Sequence, residues 1–126
     1  MALTRPQAAI LSARHVAAFN EAVEDHNFDQ FLELLTDEAV IRFENVPGAG
    51  ELTFAGRDAY TRAYEDQPPD DQIDVTSPAE ADGNDVVLKF AWRRTADAGT
   101  MRLTYVDGVP DALDTWLVKA MTVTFA

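Results

Sequence analysis

The sequence predicts an α+β fold in which helices pack on one face of a curved antiparallel sheet. Segments with helical periodicity are gathered in the first half of the chain, with one strand pattern and a second, much shorter one before the last of them. The second half holds three longer segments in which apolar and polar residues alternate, as they do in strands with one buried face. A length of 126 residues suits a single core, so we treat residues 1–126 as one domain.

The first two helices are expected before residue 36. Over residues 7–26 the apolar side chains fill one continuous arc of a helical wheel, and His15 lies near its middle, one turn before Phe19. Asn27 can cap a second, shorter helix. Its apolar stripe would consist of Phe28, Phe31, Leu32 and Leu35.

The stretch AVIRFENVP, residues 39–47, alternates and is expected to be the first strand. Ile41 and Phe43 share one face with Ala39, whereas Arg42 and Glu44 lie on the other. Burying the charged face would bury charge without an evident partner, so we expect Phe43 to point inward. Glu44 would reach the interior only if a β-bulge shifted the register.

The third helix is expected after Gly56, with Tyr60 and Tyr64 on its inner face, and it ends before Pro68. Short strand patterns occur at residues 52–54 and 72–77, and residues 79–85 and 107–114 are expected to form a turn and a loop. The long strands are expected at residues 85–94, 100–106 and 116–125, and Lys119 falls on the inward phase of the last one.

Composition excludes several functions. Twenty-two acidic residues face ten basic ones, and a net charge of −12 argues against nucleic acid and anionic membrane as partners. Without cysteine there is no thiolate nucleophile or Cys-ligated metal site, and no metal or cofactor motif occurs. Short apolar runs predict no membrane span, and the first residues do not resemble a secretory signal. We therefore expect a cytoplasmic protein without metal or cofactor.

Four segments in this order and spacing resemble the nuclear-transport-factor-2-like (NTF2-like) superfamily, which includes ketosteroid isomerase and the SnoaL-like polyketide cyclases. They are FNEAVEDHNFDQFLELLTDEAVIRFENVP, FAGRDAYTRAYEDQPPDD, ADGNDVVLKFAW and VKAMTVTF. The resemblance extends from about Ala8 to Phe125. It implies a cone-shaped, cystatin-like fold, with three helices on the concave face of the sheet and an apolar pocket open at one end.

The resemblance also implies homodimers, often formed through the outer face of the sheet. The outward positions of the last strands carry little charge for so acidic a chain, and such a patch is more plausibly covered than bare. We expect it to consist of Thr104, Val106, Val118, Ala120, Thr122 and Thr124.

Most positions that correspond to the catalytic residues of ketosteroid isomerase carry apolar residues in this sequence. By resemblance, its tyrosine donor corresponds to Phe19 and its second donor lies near Met101. Its base corresponds to Phe43, or to Glu44 if the strand is bulged. Apolar groups cannot stabilise an oxyanion, so the resemblance supports the fold but leaves the isomerase chemistry in question.

Three residues remain as catalytic candidates. His15 could act as a general base, or it could be a core histidine bonded to a backbone group or a tyrosine. Tyr64 resembles the position of a supporting tyrosine in the isomerase and could donate directly, or it could be core with its hydroxyl at the rim. Glu44 is a candidate only if a β-bulge in the first strand turns its side chain inward. The ligand-binding wall is expected to comprise Phe19, Ile41, Phe43, Tyr60, Leu88, Phe90, Trp92, Met101, Leu103 and Tyr105.

Two hypotheses for the function therefore stay open. The chain is an isomerase, cyclase or hydratase for an apolar carbonyl or polyketide-like substrate, without the donor pair of ketosteroid isomerase. Alternatively, it is a non-catalytic, dimeric binding or accessory module for a small hydrophobic ligand. A His15 nitrogen left free in an open cavity would favour an enzyme, and engaged nitrogens or a closed cavity would favour binding.

Overall fold

A computed structural model describes residues 2–108 and 112–126; the expected loop at 107–114 lies partly outside these ranges. In the first half of the chain two helices are followed by two strands and a third helix, and strands dominate the second half. The helices are α1 (Arg5–Asp25), α2 (Asp29–Leu32) and α3 (Arg57–Asp66), and a 3₁₀ turn spans Leu113–Thr115. The strands are β1 (Leu35–Val46), β2 (Gly50–Ala55), β3 (Ile73–Val75), β4 (Glu80–Asp82), β5 (Asp85–Trp92), β6 (Ala98–Val106) and β7 (Leu117–Phe125).

The strands form one curved sheet in the order β2-β1-β7-β6-β5-β3, and β4 pairs with β5 beside β3. Neighbouring strands run antiparallel except for β1 and β7, which are parallel. The helices cover the concave face, where the core lies. The predicted α+β fold is therefore confirmed, with the parallel β1–β7 pair as an added feature.

The start of α1 follows from a capping box. The Thr4 hydroxyl accepts a hydrogen bond from the Gln7 backbone at 3.2 Å, and the Gln7 side chain accepts one from the Thr4 backbone at 2.9 Å. Pro6 stands in the first turn, where its missing N–H costs nothing. The helix ends at His26, whose backbone is left-handed with φ 55°. No described helix is both long enough and apolar enough to cross a membrane.

The second helix is a single turn, and the expectation that Leu35 belongs to it is wrong. Leu35 is the first residue of β1 and is paired with Val118 of β7. Pairing across the sheet therefore overrides the local helical pattern. Asn27 still organises the turn, because its side-chain oxygen accepts a hydrogen bond from the Asp29 backbone at 3.0 Å.

The segment expected as a turn at residues 79–85 is a hairpin. Asp82 and Asp85 pair across a two-residue turn, and Gly83 in that turn has φ 61°, which favours glycine. The three residues before it form β4. The alternation in β4 is too short to be distinguished from turn composition in the sequence.

A bulge in β7 corrects two expectations about the last strand. Thr104 pairs with Ala120 and Tyr105 pairs with Val118, so Lys119 is the extra residue. Lys119 is consequently exposed, although the alternation placed it inward. Val118 is fully buried, although the same alternation placed it on the outer face.

In β1 the expected face is buried. Ala39 and Ile41 are fully buried and Phe43 is half-buried, whereas Val40 and Arg42 are exposed. Burying the apolar side chains of β1 therefore stabilises the folded chain. The charged side chain of Arg42 stays in water, so no charge has to be buried there.

Candidate functional site

A cavity of about 40 Å³ lies between the helices and one end of the concave sheet face. That end is formed where β1, β5 and β7 finish and β6 begins. The lining is aromatic and aliphatic apart from one imidazole and two phenol hydroxyls. The lining residues are His15, Phe19, Phe31, Phe43, Tyr60, Tyr64, Ile73, Phe90, Trp92, Met101, Met121 and Val123.

The sheet register brings the strand residues of the cavity together. Met101 of β6 lies opposite Val123 of β7, and Val123 also lies beside Phe43 of β1. Phe90 of β5 lies opposite Gly99, where an added Cβ would stand 2.6 Å from the Phe90 ring. Glycine at this position therefore makes room for the ring that forms part of the cavity wall.

The edge of the cavity near β3 depends on Asn20. The Asn20 side chain donates to the Ile73 carbonyl at 2.9 Å and accepts from the Ile73 N–H at 2.9 Å. An α1 side chain thus mimics a neighbouring strand and satisfies the backbone of β3. This contact holds Ile73, 2% exposed, against α1 and in the cavity wall.

His15 is the buried polar group of α1 that borders the cavity. It is 1% exposed, and neither ring nitrogen has a hydrogen-bond partner in the described part of the chain. Its ring packs edge-on against Phe31 at a centroid distance of 5.0 Å. Burial, with a smaller contribution from the charge of Arg14, lowers the pKa of His15 to about 4. At neutral pH the imidazole is therefore uncharged, with one nitrogen able to donate and the other to accept.

Tyr60 and Tyr64 supply the two hydroxyls. They are one helical turn apart on α3, their ring centroids are 4.3 Å apart, and their hydroxyls are hydrogen-bonded to each other. Burial raises the pKa of Tyr60 well above its ordinary value, and the neighbouring Tyr64 raises it further. Burial also raises the pKa of Tyr64, against the opposing effect of the hydrogen bond. Both phenols therefore stay protonated, and only one proton is used in the bond between them.

Most of the residues expected at the site border the cavity. Of the catalytic candidates, His15 and Tyr64 do so. Of the expected ligand-binding wall, the residues that border it are Phe19, Phe43, Tyr60, Phe90, Trp92 and Met101. The others are buried elsewhere in the core and do not line the cavity: Ile41, Leu88, Leu103 and Tyr105. They lie nearer the opposite end of the same strands.

Glu44 lies outside the cavity. Its carboxylate accepts a hydrogen bond from the Thr124 hydroxyl at 3.0 Å. The irregularity in β1 falls between Phe43 and Val46, and Asn45 there has φ 58°. Against β7, Phe43 and Glu44 remain in register with Val123 and Thr124, so the bulge does not turn Glu44 inward. None of the residues that line the cavity carries a carboxylate.

Sequence reasoning missed four lining residues: Phe31, Ile73, Met121 and Val123. Met121 and Val123 alternate with the outward positions of β7, so the period of that strand could have indicated them. Phe31 belongs to the recognised apolar stripe of the second helix. Ile73 had no comparable signal, because β3 is only three residues long and is held by a side chain distant in sequence.

Comparisons with known proteins agree with this architecture. The family model for the SnoaL-like domain matches residues 16–112. The crystal structure of a proposed ketosteroid isomerase from Kribbella flavida superposes with a TM-score of 0.63 at 25% identity, covering 96% of this chain and 78% of that one.

Two more distant structures show the same fold. An NTF2-like protein of unknown function from Mesorhizobium loti has a TM-score of 0.64 at 17% identity and covers 94% of this chain and 93% of its own. A protein with a cystatin-like fold from Methylobium petroleophilum has a TM-score of 0.64 at 11% identity, covering 100% and 80% respectively. No curated protein matches the sequence.

Proposed function

The chain belongs to the SnoaL-like domain family, and we propose that it binds a small apolar molecule with one hydrogen-bonding group inside the cone. The observation that carries the proposal is His15, buried to 1% exposure with both nitrogens unpartnered at the wall of an apolar cavity. A buried polar group without a partner is costly. A ligand oxygen that reaches the imidazole would remove that cost.

The polar groups of the cavity suit a carbonyl or hydroxyl oxygen. The neutral imidazole of His15 donates or accepts one hydrogen bond, and the protonated Tyr60–Tyr64 pair keeps one phenol proton to donate. Apart from the indole N–H of Trp92, the remaining lining is apolar and favours the carbon skeleton of the ligand. The cavity holds about 40 Å³, so a ligand larger than a few waters requires lining side chains to move.

The test compares the binding of acetophenone with that of ethylbenzene. The two molecules have nearly the same shape, but only acetophenone has a carbonyl oxygen that can hydrogen-bond to His15. Ligand-detected NMR should show both binding, acetophenone more tightly. His15→Leu should weaken acetophenone binding about 2- to 10-fold, the value of one hydrogen bond, and leave ethylbenzene binding unchanged. Ser12→Ala, at a buried polar residue of α1 that lines neither the cavity nor the surface groove between α2 and α3, is the matched control. Equal binding of acetophenone to wild type and His15→Leu would refute the role of His15, and no binding of either compound would refute the proposal.

Catalysis is the second candidate. It is favoured by the unpartnered His15 nitrogens at the cavity wall and by the structural likeness to the proposed isomerase of Kribbella flavida. An isomerase, cyclase or hydratase acting on an apolar carbonyl or polyketide-like substrate would use His15 as its proton acceptor. A pKa of about 4 makes His15 a weak base, since general bases work best with a pKa near the operating pH. Turnover of any such substrate that His15→Leu abolishes, but Ser12→Ala does not, would establish the enzyme.

Steroid isomerisation itself is not expected. The positions that correspond by resemblance to the donors and base of the isomerase are Phe19, Met101 and Phe43, and all three line the cavity with apolar groups. Loss of one oxyanion donor costs about 100- to 1000-fold in rate. An assay with a Δ5-3-ketosteroid should therefore give a rate at least that far below a dedicated isomerase, and a comparable rate would overturn the placement of these residues.

We also propose that the chain forms a homodimer through the outer face of β6 and β7. Val106 at the edge of this face is 43% exposed, and Thr104, Ala120 and Thr122 are half-buried in the single chain. Multi-angle light scattering should give twice the 13.9 kDa mass of the chain. Thr122→Glu should dissociate the dimer, whereas Thr95→Glu, in an exposed turn, should not. A wild-type monomer would contradict the proposal.

A further inference from the structure

Tyr64 separates the inner cavity from a groove on the surface. The same side chain lines the cavity of about 40 Å³ and a groove of about 280 Å³ between α2 and α3. The groove alone approaches the volume of about 300 Å³ at which small-molecule pockets begin. If the Tyr64 side chain swings aside, the two spaces become one.

The position of Tyr64 favours such a movement. It lies in the last turn of α3, which ends at Asp66, and Tyr60 is the fully buried residue of this helix. One hydrogen bond, to the Tyr60 hydroxyl, holds the Tyr64 hydroxyl inside. A neutral hydrogen bond is weak enough to be exchanged for water. Tyr64 therefore has the properties of a gate with a single latch.

The space occupied by the Tyr64 ring is built for an aromatic ring. Phe28 meets it edge-on at 5.0 Å, Phe31 lies parallel to it at 6.5 Å, and the Tyr60 ring is 4.3 Å away. These are the separations at which aromatic pairs attract each other. A ligand ring that took the place of Tyr64 would inherit the three contacts and come to lie beside the cavity that His15 borders.

The groove outside Tyr64 is acidic. Asp29 and Glu65 line it, and no lysine or arginine is among its lining residues. Neither carboxylate forms an ion pair within the described ranges. Phe28 adds an aromatic wall, which also attracts cations. His26 also lines the groove, so an anion finds no lysine or arginine there, whereas an ammonium group finds two carboxylates.

From these observations we infer that the inner cavity and the groove between α2 and α3 form one binding site for a small aromatic amine, with Tyr64 as its gate. The ring of the amine replaces the Tyr64 ring among Phe28, Phe31 and Tyr60, and the ammonium group lies in the groove near Asp29 and Glu65. This inference rests on the proposed function, since the inner cavity of that proposal forms the inner part of the larger site.

The experiment compares three probes of one skeleton by calorimetry: 2-phenylethylamine, 2-phenylethanol and phenylacetate. The amine should bind most tightly and phenylacetate most weakly. The double variant Asp29→Asn/Glu65→Gln should weaken amine binding about 3- to 10-fold, the range for solvent-exposed charge contacts, and leave 2-phenylethanol unaffected. Glu38→Gln/Asp97→Asn removes the same charge from exposed positions outside the groove and should change nothing. Raising the salt concentration should weaken only the amine.

The gate is tested by stopped-flow kinetics. Tyr64→Phe keeps the ring but removes the latch, and it should speed association of the amine about 2- to 10-fold, the value of one neutral hydrogen bond. Tyr64→Ala should speed it further. Unchanged association in Tyr64→Phe would overturn the gate, whether or not Tyr64→Ala folds.

The outcomes separate this inference from the proposed function. If 2-phenylethanol binds as tightly as the amine, or phenylacetate binds more tightly, the amine site is overturned while binding in the cone stands. If none of the probes binds wild type or Tyr64→Phe, and acetophenone also fails to bind, both are overturned.

Discussion

The concave face of the sheet has a packed end and a cavity end. At the packed end, Ile41, Leu88, Leu103 and Val118 are each at most 1% exposed. At the cavity end the same strands present Phe43, Phe90, Trp92, Met101 and Val123 around unfilled space. Branched aliphatic side chains interdigitate closely, whereas rings that meet edge to face leave gaps between them. The cavity thus lies at the end that also holds His15 and the tyrosine pair, where a ligand can compete for contacts.

The largest expected effect concerns His15 and acid. The folded chain holds its pKa at about 4, below the unfolded value of 6.5, so the unfolded state binds the proton more tightly. The stability of wild type should therefore be complete above pH 6.5 and fall as the pH drops from 6.5 to 4. The full loss is about 3 kcal/mol, since one pKa unit corresponds to about 1.4 kcal/mol.

His15→Leu should lose this pH dependence. Chemical denaturation between pH 7 and pH 5 stays above the isoelectric point of 4.3. At pH 5 the wild type should have lost about 2 kcal/mol more than His15→Leu. Ser12→Ala, at another buried polar residue of α1, should keep the pH dependence of wild type. Parallel pH curves for wild type and His15→Leu would show that burial in the folded chain does not lower the pKa of His15.

The next effect is the change in stability when one methylene is added at either end of β7. Val118→Ile enlarges a fully buried side chain at the packed end and should destabilise the protein by about 1–3 kcal/mol. Val123→Ile places the same methylene at the wall of the cavity and should be neutral or stabilise by up to about 0.8 kcal/mol. Urea denaturation of the two variants measures the difference. Equal destabilisation by both would mean that the cavity end is as tightly packed as the other.

The sequence predicted which face of β1, β5 and β6 is buried but not how completely each end of the sheet is filled. Alternation fixed the inward positions of β5 and β6, such as Phe90 and Met101, because the period of a strand is local. How completely an end is packed depends on contacts between aromatic rings of elements that are far apart in the chain. Phe19 and Trp92 are an example, with a centroid distance of 6.2 Å.

The failures at the site have the same origin. Ile41 and Leu103 were expected at the cavity because they share its face, and their distance along the strand from the open end was not visible in the pattern. Lys119 and Val118 were misplaced because the bulge that separates them arises from pairing with β6. Ile73 was missed because a side chain of α1, rather than its own alternation, holds it in place.

The smallest expected effect is on stability, and it distinguishes the paired tyrosines of the cavity end from the unpartnered His15. Tyr60 and Tyr64 satisfy each other, unlike His15. Tyr64→Phe leaves the fully buried Tyr60 hydroxyl without its partner, and Tyr60→Phe does the same to Tyr64. Each single variant should therefore be less stable than wild type, whereas Tyr60→Phe/Tyr64→Phe removes both polar groups and should recover part of the loss. A double-mutant cycle by urea denaturation should give a coupling energy of about 0.5–1.5 kcal/mol. A coupling energy near zero would mean that cavity water satisfies the hydroxyls separately, and the cavity end would then contain three independent polar groups instead of one unpartnered imidazole and one closed pair.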